Sequence, residues 1–343
     1  MLMITSSYKE EPFYIEITSQ EISMLEKKLL IPETFSADPS VHVFNGKLYI
    51  YPSHDRDVEL ESNDNGDQYM MEDYHVYEMK DTETMPKDCG MIFHLKDVPW
   101  AKEQLWAPDC AEKDGKYYFY FPARDKQGFF RIGVAVSDNP SGPFKVEPEP
   151  IKGSYSIDPC CFADDDGSYY LTFGGIWGGQ LDKYRDNVYN EAHKEPAGSI
   201  PALGGRIVKL KPNMKEFAET PREVVILDKS GKPIEGGDHD RRYFEAPCQF
   251  KRNGKYYFTY STGDTHNICW ATSDNVYGPY TYGGILLKPV IGWTNHHYCV
   301  EFQGKWYLFY HDCERSKGVN HHRDVKFCSL HFNDDGSIQT VTP

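Results

Sequence analysis

The 343-residue sequence predicts an all-β fold and, within that class, a five-bladed β-propeller. Three observations carry the prediction. The composition is rich in flat side chains, one hairpin phrase occurs five times, and the intervals between its copies each suit one four-stranded blade. Aromatic residues make up 15% of the chain, with 25 Tyr and 19 Phe, and such side chains fit a pleated, half-buried surface better than a helix.

The phrase reads VFNGKLYIY at 43–51, EKDGKYYFY at 112–120, ADDDGSYYLTF at 163–173, KRNGKYYFTY at 251–260 and EFQGKWYLFY at 301–310. Four copies carry Asn-Gly or Asp-Gly, which tolerate the positive φ of a tight hairpin turn, and an aromatic-rich strand follows each. The glycines Gly46, Gly115, Gly167, Gly254 and Gly304 are separated by 69, 52, 87 and 50 residues. Each interval holds a four-stranded antiparallel sheet with loops of unequal length, which is one blade. A second phrase, AVSDNPSGPF at 135–144 and ATSDNVYGPY at 271–280, follows two of the hairpins at a similar interval. Two copies of a Gly-aromatic hairpin arise by chance in a β-rich chain; five do not.

A single propeller domain over 1–343 is therefore expected, with residues 1–33 as an N-terminal extension packed on it. Within that extension EISMLEKKLL at 21–30 reads as a short helix. The acidic stretch at 57–68 and the Gly/Pro-rich stretch at 174–205 read as long inter-strand loops, and the loops over 52–75 and 174–205 are expected to close one end of a cleft.

A formal charge of −15 repels phosphate backbones and anionic lipid, so neither nucleic acid nor a membrane is an expected partner. No 18-residue apolar run is present, and the opening MLMITSSYKEEPFYIEI lacks the order of a secretory signal. The nine cysteines are odd in number and show no C-x-x-C pair, which reads as buried, reduced thiols in a cytoplasmic protein.

In a propeller the innermost strands converge on the axis, so residues at one offset before each hairpin reach a shared cavity. Counting back eight or nine residues from the five glycines gives Asp38, Trp106, Asp158, Glu245 and His296. Three of these positions share a form, Ala-Asp38-Pro, Ile-Asp158-Pro and Phe-Glu245-Ala-Pro, with Trp106-Ala-Pro related. Proline disfavours helix at the residue before it, so these side chains are expected to project from extended segments. Two carboxylates facing one glycosidic bond serve as proton donor and as base or nucleophile, and a third raises its neighbour's pKa. The tryptophan offers a plate for a sugar ring. Asp109, only six residues before Gly115, reads as structural.

The set SADPSV, LWAPDC, SIDPCC, YFEAP and NHHYCVEFQGKWYLFYHD resembles glycoside hydrolase family 43 across nearly the whole chain. The resemblance implies a five-bladed propeller acting with inversion on β-xylosides or α-L-arabinofuranosides. By the same resemblance Asp38 is the general base, Glu245 the general acid and Asp158 the carboxylate that tunes it. Trp106 and Arg323 are then sugar contacts, and His296 is the axial histidine beside a calcium ion or water cluster, with His297 the alternative register. The expected activity is exo-acting release of xylose from β-1,4-xylo-oligosaccharides, with α-L-arabinofuranosidase second and a non-catalytic glycan-binding propeller third.

Other histidine spots, His321–His322 and Asp238-His239-Asp240, lack a catalytic zinc pattern, so a hard, oxygen-seeking ion such as calcium is the expected metal. The glycines of GGIWGGQ at 174–180 open no helix and carry no phosphate-loop lysine, which argues against a nucleotide site.

Overall fold

The computed structural model describes Ser23 and residues 25–343. Five antiparallel sheets follow one another along the chain. Blade one holds β1 (Phe35–Phe44), β2 (Lys47–Asp55), β3 (Asp73–Met79) and β4 (Lys87–His94). Blade two holds β5 (Ala101–Glu103), β6 (Asp109–Lys113), β7 (Lys116–Asp125), β8 (Phe130–Ser137) and β9 (Lys145–Val146). Blade three holds β10 (Cys160–Ala163), β11 (Tyr169–Phe173), β12 (Arg206–Lys209) and β13 (Arg222–Glu223). Blade four holds β14 (Ile226–Leu227), β15 (Glu245–Arg252), β16 (Lys255–Ser261), β17 (Ile268–Ser273) and β18 (Tyr280–Leu287), with β14 added in parallel to β18. Blade five holds β19 (His297–Phe302), β20 (Lys305–Asp312) and β21 (Asp324–Leu330).

Each repeated phrase is the hairpin that joins a blade's innermost strand to its neighbour. In four of them both turn residues have positive φ, as in Asn45 (52°) and Gly46 (75°). The third copy differs. Only Gly167 is left-handed there, and Asp164 and Ser168 close a longer loop through a 2.8 Å backbone bond. The fifth copy places Gln303 at φ 51°, so a non-Asn residue takes the strained position. The second phrase also repeats as structure: the Asn139 and Asn275 amides accept backbone N–H from Ser141 and Tyr277 at 3.0 and 2.9 Å.

The apolar core lies between blades rather than within them. Tyr51, Tyr74, Phe119 and Phe121 fill the seam of blades one and two, with Tyr74 and Phe119 edge to face at 5.0 Å. Burial of such a ring stabilises by roughly 1.5–3 kcal/mol relative to exposure. Near the axis, where inner strands crowd together, the inward positions hold the small thiols of Cys110, Cys160, Cys161, Cys248 and Cys299, all buried and unpaired.

The ring closes without a covalent link. Blade five supplies three strands of its own, and the N-terminal segment runs along the free edge of β21. Lys27 N–H donates to Phe327 O at 2.7 Å, Leu30 N–H to Val325 O at 3.1 Å, and Ser36 N–H to Arg323 O at 2.8 Å. Here the structure corrects the helix expected at 21–30. Residues 21, 22 and 24 lie outside the described residues, and Leu25–Lys27 form a turn that leads into an extended run. An unpaired strand edge offers more backbone bonds than one helical turn, so tertiary pairing overrides local propensity.

Candidate active site

Two of the three carboxylates, Asp38 and Glu245, stand where inner strands are broken by bulges, and Asp158 lies just before the start of β10. The β1–β2 register shifts between Ala37 and Ser40, and the β15–β16 register shifts between Glu245 and Cys248. A bulge re-aims the side chain at that point. In each case the residue before the proline takes positive φ: Asp38 at 48°, Asp158 at 56° and Ala246 at 55°. This overturns the extended geometry expected from the prolines. Proline has no N–H to lose from the ladder, so the bulge forms there at small cost, and the left-handed residue turns the side chain toward the axis. Such strained backbone persists where surrounding structure fixes it.

All six residues singled out in the sequence, Asp38, Trp106, Asp158, Glu245, His296 and Arg323, line one cavity of ≈ 290 Å³. His296 faces it, whereas His297 points into the protein and bonds Thr259 Oγ1 at 2.6 Å, which resolves the register. Asp109 lies below the cavity as a tie between three blades. It accepts from Ser40 Oγ, from His42 Nε2 at 2.6 Å and from the Cys161 N–H at 2.5 Å.

The carboxylates divide by environment. Burial works to raise the Asp38 pKa, but the charge of Arg323, with smaller contributions from His311, His296 and the Ser53 hydroxyl, holds it below the usual range. The Asp38 N–H donates to His311 Nδ1 at 3.0 Å, and His311 Nε2 donates to Thr294 O at 3.1 Å. Burial, then the Arg323 charge, push the His311 pKa down to about 3, so it is a neutral acceptor at that nitrogen. Asp158 goes the other way: burial first, and Asp38 next among the raising causes, push it up to about 8, against the 2.9 Å hydrogen bond from the Ala246 N–H. Glu245 is raised well above an ordinary glutamate by burial, then by Asp158 and Asp38. Two buried carboxyls facing each other cannot both ionise near neutral pH. The Ala246 N–H favours charge on Asp158, which leaves the proton on Glu245.

Arg323 lines the cavity, where a sugar contact was expected, and is also bonded heavily within the protein. Nη1 donates to Asp38 Oδ1 at 2.9 Å and Thr294 Oγ1 at 3.3 Å, while Nε and Nη2 grip Asp55 at 2.8 and 2.7 Å and Nη2 meets Met71 Sδ at 3.8 Å. Its donors are occupied within the protein, and its visible effect is to keep Asp38 ionised and oriented. Asp55 and His311 escaped the sequence reading. Their signal is weak, since Asp55 ends β2 and His311 lies in β20, away from the hairpin offsets.

The walls are aromatic. Trp106 donates Nε1–H to Tyr69 O at 2.9 Å, and a Cβ on Gly66 would meet its ring at 2.5 Å, so the 57–68 loop packs closely on it. Opposite stand Trp177, Phe244 and Trp293, with ring centroids 5.0–5.8 Å apart. Trp177 belongs to the GGIWGGQ segment, whose glycines allow close approach to the first loop: a Cβ on Gly178 would lie 3.0 Å from Asn65 O. Arg124 pins the two loops together, donating to Asn65 O and Oδ1 at 2.9 Å and to Gly178 O at 3.2 Å.

For a metal, the cavity offers one suggestive atom. His296 Nδ1 is buried and has no hydrogen-bond partner. Among the described residues no group of three His, Cys, Asp or Glu ligand atoms includes it. A hard cation there would take one nitrogen from His296 and its remaining ligands from water. The other histidine spots are loop ties: His321 Nε2 bonds Val58 O at 2.9 Å, and His239 Nδ1 bonds Asp264 at 2.6 Å.

A β-propeller whose axial pocket pairs a low-pKa carboxylate with a protonated one, between aromatic walls, has the equipment of a glycoside hydrolase. The sequence model of glycosyl hydrolases family 43 matches residues 30–338, and the chain belongs to this family. It is 58% identical to a xylosidase/arabinosidase 43A of Humicola insolens, over 92% of this chain and 99% of that one. It is 50% identical to a beta-xylosidase of Xylanibacter ruminicola, over 92% and 100%. The solved structure of CoXyl43, a beta-xylosidase/alpha-arabinofuranosidase from a compost metagenome in complex with xylotriose, superposes with a TM-score of 0.91 at 56% identity, covering 94% and 98% of the two chains.

Proposed function

We propose that this glycoside hydrolase is an inverting, exo-acting β-xylosidase that releases xylose from the ends of short β-1,4-xylo-oligosaccharides. The observation that carries the reading is the division of carboxylates, with Asp38 held ionised and Glu245 held protonated in one pocket. Asp38, fixed by Arg323 and the His311 ring, takes a proton from water as that water attacks the anomeric carbon. Glu245 gives its proton to the leaving oxygen. Asp158 holds that proton on Glu245 until it is needed. The loops joined by Arg124 close one end of the cavity and favour terminal residues over mid-chain binding. The names of the relatives, xylosidase/arabinosidase and beta-xylosidase, support the sugar assignment, and they favour α-L-arabinofuranosidase as the second activity. A bound calcium, held by His296, would supply positive charge to the cavity.

Aryl β-D-xyloside and aryl α-L-arabinofuranoside assayed side by side, with the first product followed by NMR, test this. Inversion and faster xyloside turnover are expected. Asp38→Asn should abolish turnover of both, whereas Glu245→Gln should spare activated aryl leaving groups relative to oligosaccharides. Retention of configuration, or near-normal turnover by Asp38→Asn, refutes the roles.

A further inference from the structure

Outside the pocket, blade one gathers imidazoles on a single face. Ser53 of β2 stands opposite Tyr74 of β3, so His54 and Asp73 form the next cross-strand pair, and His75 lies two residues from Asp73 on the same side. Tyr74 and Val76 alternate with them and are fully buried, which confirms that Asp73 and His75 face outward together. One ligand atom from each of His54, Asp73 and His75 lies within 4.8 Å of the other two. Their side chains retain 28%, 20% and 27% of their accessibility, so an ion can reach them from solution.

The hydrogen bonding prepares these groups as ligands. His54 Nε2 lies 2.8 Å from Thr34 Oγ1, which is placed to accept its N–H, and Nδ1 turns to Asp73. An acceptor on the far nitrogen is the usual device for fixing a metal-ligating histidine. Nδ1 stands 2.5 Å from Asp73 Oδ1, with one proton between them that a metal ion would replace. His75 Nδ1 is shielded from solvent and makes no hydrogen bond, and the nearest carboxylate oxygen, on Asp88, is 3.5 Å away.

We propose that His54, Asp73 and His75 form a non-catalytic divalent-metal site on blade one that takes zinc in preference to calcium, with water as the fourth ligand. Two imidazoles and one carboxylate suit a borderline ion, whereas calcium asks for six to eight oxygens. Bond lengths of about 2.0–2.1 Å place tetrahedral ligand atoms roughly 3.3 Å apart, so His75 must close toward the other two while His54 Nδ1 and Asp73 Oδ1, 2.5 Å apart, open slightly, movements that partly exposed side chains make by small rotations.

The test is calorimetric titration of metal-stripped, full-length protein with zinc sulfate, followed by zinc-edge X-ray absorption. One zinc per chain, with two imidazoles in its first shell, is expected. Asp73→Asn and His75→Gln should each lower affinity more than about 100-fold, and Thr34→Val by about 10–100-fold through loss of the hydroxyl that holds His54 Nε2. His296→Ala, and Cys89→Ser at the partly exposed cysteine of β4, should leave binding unchanged. Each variant is compared at matched thermal midpoint and circular dichroism, and the half-buried Thr34 variant serves if a ligand variant folds poorly. No binding at millimolar zinc overturns the proposal, as does binding that survives both ligand changes or is lost with His296 or Cys89.

Discussion

Replacing Asp158 by asparagine separates the two effects its carboxyl exerts. The first is on the acid. With Asp158 ionised, removal of the last proton from the pair places two negative charges in a buried site, and an adjacent like charge raises a carboxyl pKa by roughly 1–3 units. Asp158→Asn should therefore lower the Glu245 pKa and move the alkaline limb of the kcat/KM profile down by that amount. The second effect is on stability. Burial raises both carboxyls, Asp158 from its ordinary 3.8 to about 8, so between these values the folded pair holds a shared proton that the unfolded chain has lost. Stability from the pair is full below about pH 4 and is lost as pH rises through about 8. By pH 7 some three units of that interval are crossed, and at about 1.4 kcal/mol per unit the upper bound on the loss is of order 4 kcal/mol. Asparagine carries no such charge and still accepts from the Ala246 N–H, so the variant should unfold at higher denaturant at pH 7 and match the parent near pH 4. The assays are pH-rate profiles on an aryl xyloside and urea unfolding at both pH values. An alkaline limb that stays or rises, together with unchanged stability at pH 7, would refute the assignment of Asp158 as a buried, charge-strained partner of Glu245.

Asp109→Ala should act on the scaffold instead, because it leaves the Ser40 hydroxyl, His42 ring and Cys161 N–H without their common acceptor. A loss of about 3–5 kcal/mol is expected in urea unfolding, and a stability within 1 kcal/mol of the parent would contradict the blade-tie reading. Exhaustive chelation should lower turnover without unfolding the chain, and calcium binding measured by calorimetry should weaken in His296→Ala. Unchanged turnover, with calcium absent by elemental analysis, would remove the ion from the cavity.

What could be read in the sequence was local in its physics. A tight hairpin turn demands left-handed residues, so Asn45-Gly46 and three counterparts announced themselves, and with the longer turn at Gly167 five hairpins counted five blades. The carboxylates were legible because a propeller repeats its geometry: a fixed offset from Gly46, Gly167 and Gly254 becomes a shared position near the axis. The short helix expected at 21–30 shows the limit of this reasoning, since residues 25–30 answer to the unpaired edge of β21 and not to their own periodicity.

The rest depended on closure of the ring. Asp38 and Arg323 are 285 residues apart, and Asp38 and His311 are 273 apart. No local pattern records that blade one and blade five meet there. The prolines marked the site but not its conformation, because positive φ at Asp38 and Asp158 is held by surrounding structure, at Asp38 by a bulge, rather than by the dipeptide. Likewise Trp177, Phe244 and Trp293 form one wall only once blades three, four and five stand side by side. The sequence by itself determined the blade count and which carboxylates approach the axis, since turn stereochemistry and repeat spacing act over a few residues. The tertiary structure decided which carboxyl is charged and which keeps its proton, because burial and the placement of one arginine exist only in the folded ring.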